Sequence, residues 1–148
     1  MRRMLAIAVV GVLVIGWTSV KTELDQQADL EEHILQIYYL EIVTNEVDSM
    51  CGVYAAANGL QFSDPDAGLG NARTAALPGG GMVGVRAPLR ESEEPLVRPY
   101  WLVEDIESAV ATAVDAGALL AIPPMEIPGH GTFALYLAGG VEHGLWQR

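Results

Sequence analysis

The body of this chain repeats itself, and that narrows its possible folds more than any other feature. A shift of 60 residues pairs Val43 with Val103, Ala56 with Ala116, Leu60 with Leu120, Leu77 with Leu137, Gly79 with Gly139, Gly80 with Gly140 and Gly84 with Gly144. The glycines fall at the same turn in each half, so two copies of one unit are the economical reading. "IYYLEIV" alternates as a strand does, with Tyr39, Glu41 and Val43 on one face and Tyr38, Leu40 and Ile42 on the other. Val47, Met50, Cys51, Tyr54 and Ala57 then keep helical spacing until Asn58-Gly59 stops them. "LQFSD", "GNARTAAL" and "MVGVRAP" are three further strand candidates. After the acidic, proline-bearing loop "LRESEEPLVRP" the order recurs: "YWLV", a helix capped by Asp105 and ended by Gly117, then "ALLAIPP", "TFALYLA" and "EHGLWQ". Each half reads β-α-β-β-β.

Ahead of the repeat, "MRRMLAIAVVGVLVIGWTSVK" has two arginines, an apolar run from Met4 to Val20 and then Lys21. Such a segment predicts a signal anchor or signal peptide over residues 1–20. The run of 17 residues lies at the short limit of a membrane span, ~17–25 residues, and no A-x-A cleavage site follows it. The basic start would stay cytoplasmic and leave the rest exported, either membrane-anchored or periplasmic. Residues 21–36 read as an acidic helical spacer with His33 on its solvated side, and 37–148 as the domain, with modules at about 37–89 and 98–148.

Acidic residues outnumber basic ones 19 to 8, and beyond the first 21 residues there are five Arg and no Lys. Such a surface repels polyanions, which excludes nucleic acid as a partner. The single cysteine, Cys51, forbids an internal disulfide and falls on the apolar side of the first helix, as a small buried hydrophobe would.

Paired modules of this kind resemble the vicinal oxygen chelate superfamily, which includes glyoxalase I, bleomycin-resistance proteins and extradiol dioxygenases. "YLEIVTNEVDSMCGVYAAANGLQF" is similar to the first strand and helix of its glyoxalase-like bacterial members, and "WLVEDIESAVATAVDAGALLAIPPMEIPGHGTFALYLAGGVEHGLW" to their second module. The resemblance implies an α+β domain in which two tandem βαβββ modules form a cupped, eight-stranded mixed sheet with the helices outside. It also implies a divalent metal, where a member has one, held by four side chains on the first and last strands of each module. Those positions are approximately Tyr38, Gly84, Arg98 and Gly144 here, and none is a usual ligand type. A register slip would admit Glu41 or Glu142, which still leaves the set incomplete. No cofactor is therefore expected, although a divalent metal with other ligands stays open.

Two motifs look chemical and are better read as structural. "GGGMVG" fits G-x-G-x-x-G, but Val85 to Pro88 continue a strand where the dinucleotide fingerprint needs a helix. In the closing stretch Glu142 and His143 alternate to opposite faces, and Glu126 and His130 lack any metal-ligand spacing. The remaining candidate is the cup. Tyr38, Arg98 and Arg86 are expected to line it as ligand-binding residues, with Tyr39, Glu41, Tyr100 and Trp101 near its edges. Arg98 at a metal-ligand position suggests a cation that replaces the metal's charge and holds an anionic or carbonyl group. The plainer alternative is that Arg98 pairs with Glu41 and the tyrosines are core. The functions to weigh are a metal-free small-molecule binder, a metal-dependent lyase, isomerase or dioxygenase, and a degenerate interaction module with a filled cup. Modules of this family often pair between chains, so a homodimer is a further expectation.

Overall fold

A computed structural model describes residues 35–148, which form one compact unit. The signal or anchor segment expected over residues 1–20 and most of the acidic spacer lie outside the described residues. Within the described part no helix is long and apolar enough to cross a membrane.

The elements run β1 (Ile37–Val43), α1 (Val47–Asn58), a short 3-10 helix (Ala67–Leu69), β2 (Arg73–Ala76), β3 (Met82–Arg86), β4 (Leu96–Leu102), α2 (Ile106–Asp115), β5 (Leu119–Ile127), β6 (Gly131–Ala138) and β7 (Val141–Gln147). All seven strands form one mixed sheet in the order β2-β3-β1-β4-β7-β6-β5. The repeat is legible in this order. In each module the first strand runs parallel to the last, β1 with β3 and β4 with β7, and the modules join where β1 meets β4 antiparallel.

The α+β class and the two-module mixed sheet are as expected, with seven strands in place of eight. "LQFSD" does not become a strand. Ser63 N–H does donate to the Thr74 carbonyl at 2.8 Å, but the Thr74 N–H returns to the Ser63 hydroxyl at 3.0 Å instead of to a backbone carbonyl. Pro65 follows within two residues and has no N–H to continue a ladder. The corresponding strand of the second module, β5, does pair with β6, with irregularities between Leu120 and Met125.

Both helices pack on the outer face of the sheet. Cys51 of α1 packs with Ile42, Leu60, Ala75, Val83 and Val85; Ile106 and Val110 of α2 pack with Ala134 and Leu145, with Trp101 against them. Cys51 is buried there, and burial pushes its thiol pKa up, consistent with a packing residue. The turn at Gly79–Gly81 leads into β3 and not into a helix, so the glycine-rich motif binds no dinucleotide in the manner of its fingerprint. Gly81 is needed for closeness: a Cβ there would sit 2.8 Å from the Ile37 carbonyl oxygen and 2.7 Å from that of Tyr38.

Candidate functional site

The opposite face of the sheet is concave and holds a cavity of about 510 Å³. Which side chains reach it follows from strand parity. Tyr39 and Glu41 on β1, Arg86 on β3, Arg98 and Tyr100 on β4, and Glu142 and Trp146 on β7 all point into it. Tyr38 does not. The β1–β4 register shifts between Ile37 and Tyr39, and the Tyr38 ring packs beside Trp146 with centroids 5.6 Å apart, outside the cavity lining. The offset between the modules is odd at their first strands, where Tyr39 and Glu41 share the cup with Arg98 and Tyr100, and 60 at their last, where Arg86 answers to Trp146. The 60-residue shift pairs Glu41 with Trp101, yet Glu41 faces the cup and Trp101 packs beneath α2. Tyr38 and Trp101 are thus corrected out of the cup, while Tyr39, Glu41 and Tyr100 move from its edge to its floor.

On that floor the charged residues form one continuous network. Glu41 is 6 % exposed and accepts from Arg86 Nε at 2.6 Å through one oxygen; its other oxygen accepts from Arg98 and, at 3.0 Å, from the Tyr100 hydroxyl. Arg86 also grips Glu93 through both terminal nitrogens, at 2.9 and 2.7 Å, and Arg98 donates to Glu142. Three carboxylates surround two guanidinium groups, so the network carries a net charge of −1 (two positive, three negative).

Each arginine loses solvation by burial, which lowers its pKa, but the carboxylates around it outweigh this and the net shift is upward. Glu93 is held down to about 2, chiefly by its hydrogen bonds from Arg86. Burial, with the Glu41 charge, pushes the Tyr39 and Tyr100 phenols up, so both stay protonated at neutral pH, and Tyr100 donates to Glu41.

Tyrosine rings occupy the floor in both modules. A Cβ on Gly84 would collide with the Tyr39 ring and hydroxyl, and one on Gly144 with the Tyr100 ring. Bare glycines here make room for aromatic side chains that the sequence pattern alone assigns to the cup edge. The wall beyond β7 is apolar, built from Ile122, Met125, Ile127, Phe133 and Leu135. Sequence reasoning missed this wall, because β5 and β6 read as ordinary strands whose two faces are both largely apolar.

A divalent metal does not fit these residues. The first and last strands of each module are β1, β3, β4 and β7, and the donors they turn into the cup are two carboxylates and two phenols. Glu41 has both oxygens engaged by guanidinium groups, and a metal beside it would face two fixed cations. The His and Glu residues of the closing stretch do not converge either. His130 bonds Asp66 at 3.0 Å, His143 stacks on Tyr136 with centroids 5.3 Å apart, and Glu126 is exposed on β5. Among the described residues no group of three or more His, Cys, Asp or Glu side chains could hold a metal ion.

No family profile matches the chain. No curated protein matches its sequence. Solved structures do match in fold. A hypothetical protein of Bacillus halodurans aligns over 78 % of this chain and 96 % of its own, with a TM-score of 0.63 and 14 % identity. A methylmalonyl-CoA epimerase of Mycobacterium tuberculosis aligns over 75 % and 86 %, with a TM-score of 0.61 and 17 % identity. One from Streptomyces coelicolor, in complex with 2-nitronate-propionyl-CoA, aligns over 78 % and 98 %, with a TM-score of 0.59 and 16 % identity. These likenesses, together with two modules joined edge to edge around one concave face, give the chain the fold of the vicinal oxygen chelate superfamily.

Proposed function

We propose that the domain binds a small amphipathic molecule in its cup without a metal ion, the Glu41–Arg86–Arg98 network standing where the superfamily places metal ligands. The observation that carries this reading is the engagement of both Glu41 oxygens. Three donors, two of them guanidinium groups, hold the central carboxylate of the floor, so it is neither a ready metal ligand nor a free general base. A cavity of about 510 Å³ with one charged end and one apolar wall has the size and make-up of a small-molecule site. It also argues against the degenerate module with a filled cup. That one similar structure holds a CoA derivative supports the choice of a small organic ligand in general, not that compound.

The apolar run Met4–Val20 supports, as part of the same proposal, placement of the domain outside the cytoplasm, and protease accessibility of intact cells checks that part. For the site itself, the full chain is screened against a fragment library by thermal shift, and hits are mapped by methyl NMR. Hits that move the Ile122, Ile127 and Leu135 signals support the cup. A library with no hits, or hits that leave those methyls in place, refutes it.

A further inference from the structure

The segment that carries the short 3-10 helix leans on the cup. Gly68, Leu69 and Gly70 border the cavity, and they sit at the tip of a loop closed by a bridge between Asp66 and Ala72. The loop is shaped by its own bonds. Asp66 N–H donates to the Ala72 carbonyl at 2.9 Å, and the Asp66 carbonyl accepts from Leu69 N–H at 3.1 Å and Asn71 N–H at 2.8 Å. Ala72 N–H donates to the Leu69 carbonyl at 3.2 Å. Gly70 and Asn71 are both left-handed, with φ of 64° and 61°, which turns the tip back toward β2. Among the described residues, the polar contact that leaves residues 66–72 is made by Asp66 alone. Its Oδ1 accepts from Gly68 N–H at 2.8 Å within the loop, and its Oδ2 meets His130 Nε2 at 3.0 Å, on the β5–β6 turn of the other module.

Two observations show what this contact holds in place. Gly68 lies against the imidazole, since a Cβ there would stand 3.2 Å from His130 Nε2. Leu69 is 8 % exposed and packs among Tyr39, Tyr100, Leu135 and Trp146, the aromatic floor of the cup. A loop bonded to itself moves as a unit without breaking those bonds. What resists its movement is the burial of Leu69 and the Asp66–His130 pair. That pair is partly solvated, with side chains 34 % and 26 % exposed, so water replaces each partner readily.

We infer that residues 66–72 are a flap on the cup, with Leu69 as its plug and the Asp66–His130 pair as its latch. Opening withdraws the Leu69 side chain and enlarges the cup toward the rings it packs against. The motion itself needs no ligand; only its role as a gate rests on the reading of the cup as a binding site.

Thiol labelling of the full chain tests it. Leu69→Cys places a thiol on the plug, and the buried Cys51 of the same chain reports global unfolding. With an aromatic disulfide reagent, the thiol at position 69 is expected to react well ahead of Cys51. Adding His130→Ala should speed labelling at position 69 by about fivefold, the scale of one hydrogen bond, and change the Cys51 rate far less. His130→Gln keeps an N–H for Asp66 and should restore the slow rate. Equal acceleration of both thiols would show that His130 only stabilises the fold and would overturn the inference, as would no acceleration at position 69. Because a smaller side chain weakens the plug, the native leucine supplies a second reading by methyl relaxation dispersion. The Leu69 methyls should exchange in His130→Ala and be quieter in His130→Gln; equal behaviour in the two variants also overturns the flap. Neither outcome touches the cup as a ligand site, which the fragment screen tests separately.

Discussion

The two modules share one topology and divide one cavity unequally. The last strand of the first module carries Arg86 into the cup; at the position 60 residues on, the second module carries Trp146. A guanidinium and an indole at equivalent places give the floor a charged end and an apolar end. Both modules keep a glycine two residues before that position, Gly84 and Gly144, each lying beneath a tyrosine ring. Duplication thus supplied the frame, and a few side-chain differences on matched strands supplied the polarity of the site.

The largest test of that contrast is at its charged end. Glu41→Ala leaves two buried guanidinium groups facing each other, and we expect it to destabilise the fold by about 3–5 kcal/mol in urea unfolding. A loss under about 1 kcal/mol would mean that the network is solvated and does not organise the floor.

The Arg86–Glu93 pair gives a pH signature. The folded pKa of Glu93 lies near 2, below its ordinary 4.5. A depressed acid contributes stability above its unfolded pKa and loses it as pH falls through the folded one. Stability on the order of 2 kcal/mol should therefore disappear between about pH 4.5 and pH 2. Glu93→Gln should flatten unfolding free energy in that window; an unchanged slope would count against the pairing.

The glycines allow the modules to be compared directly. A Cβ on Gly84 meets the far end of Tyr39, which can swing aside, whereas one on Gly144 meets the root of the Tyr100 ring, whose hydroxyl is tied to Glu41. Gly144→Ala should cost about 1–3 kcal/mol and Gly84→Ala less, as read by thermal unfolding of the two variants. Equal losses would show that the floors are equally rigid.

The smallest effect concerns the helices. Asp105 caps α2 by accepting from Ser108 N–H at 2.9 Å, while Glu46 at the start of α1 makes no side-chain cap. Asp105→Ala should cost about 1 kcal/mol and Glu46→Ala little, as measured by chemical denaturation.

Much of this fold was legible in the residues. Alternation placed β1, helical spacing and Gly59 bounded α1, and the recurring glycines identified the second module. The failures were local and have physical causes. "LQFSD" has strand-like residues, but Ser63 satisfies the Thr74 N–H with its side chain and Pro65 ends the run. At the site, the decisive event is a change of offset, which is odd between β1 and β4 and 60 between β3 and β7. A one-residue slip exchanges the faces of a strand, so a repeat taken at constant offset put Tyr38 on the floor where Tyr39 and Glu41 belong. The pairing of Arg98 with Glu41, the plainer of the two sequence readings, is present, but as the centre of a five-residue network that no local pattern announces. Arg86, Arg98 and the carboxylates come from four different strands and one loop, and only the folded register brings them together.

The central claim is that this network, not a metal ion, occupies the floor. Metal content of the full chain, purified without chelator and then offered Mn, Fe, Ni and Zn in turn, tests it most directly by elemental mass spectrometry with parallel thermal shifts. The account predicts well under one equivalent of any ion and no stabilisation. One bound equivalent that raises the melting temperature, and is lost in Glu41→Gln or Glu142→Gln, would contradict it and place a metal-dependent enzyme first.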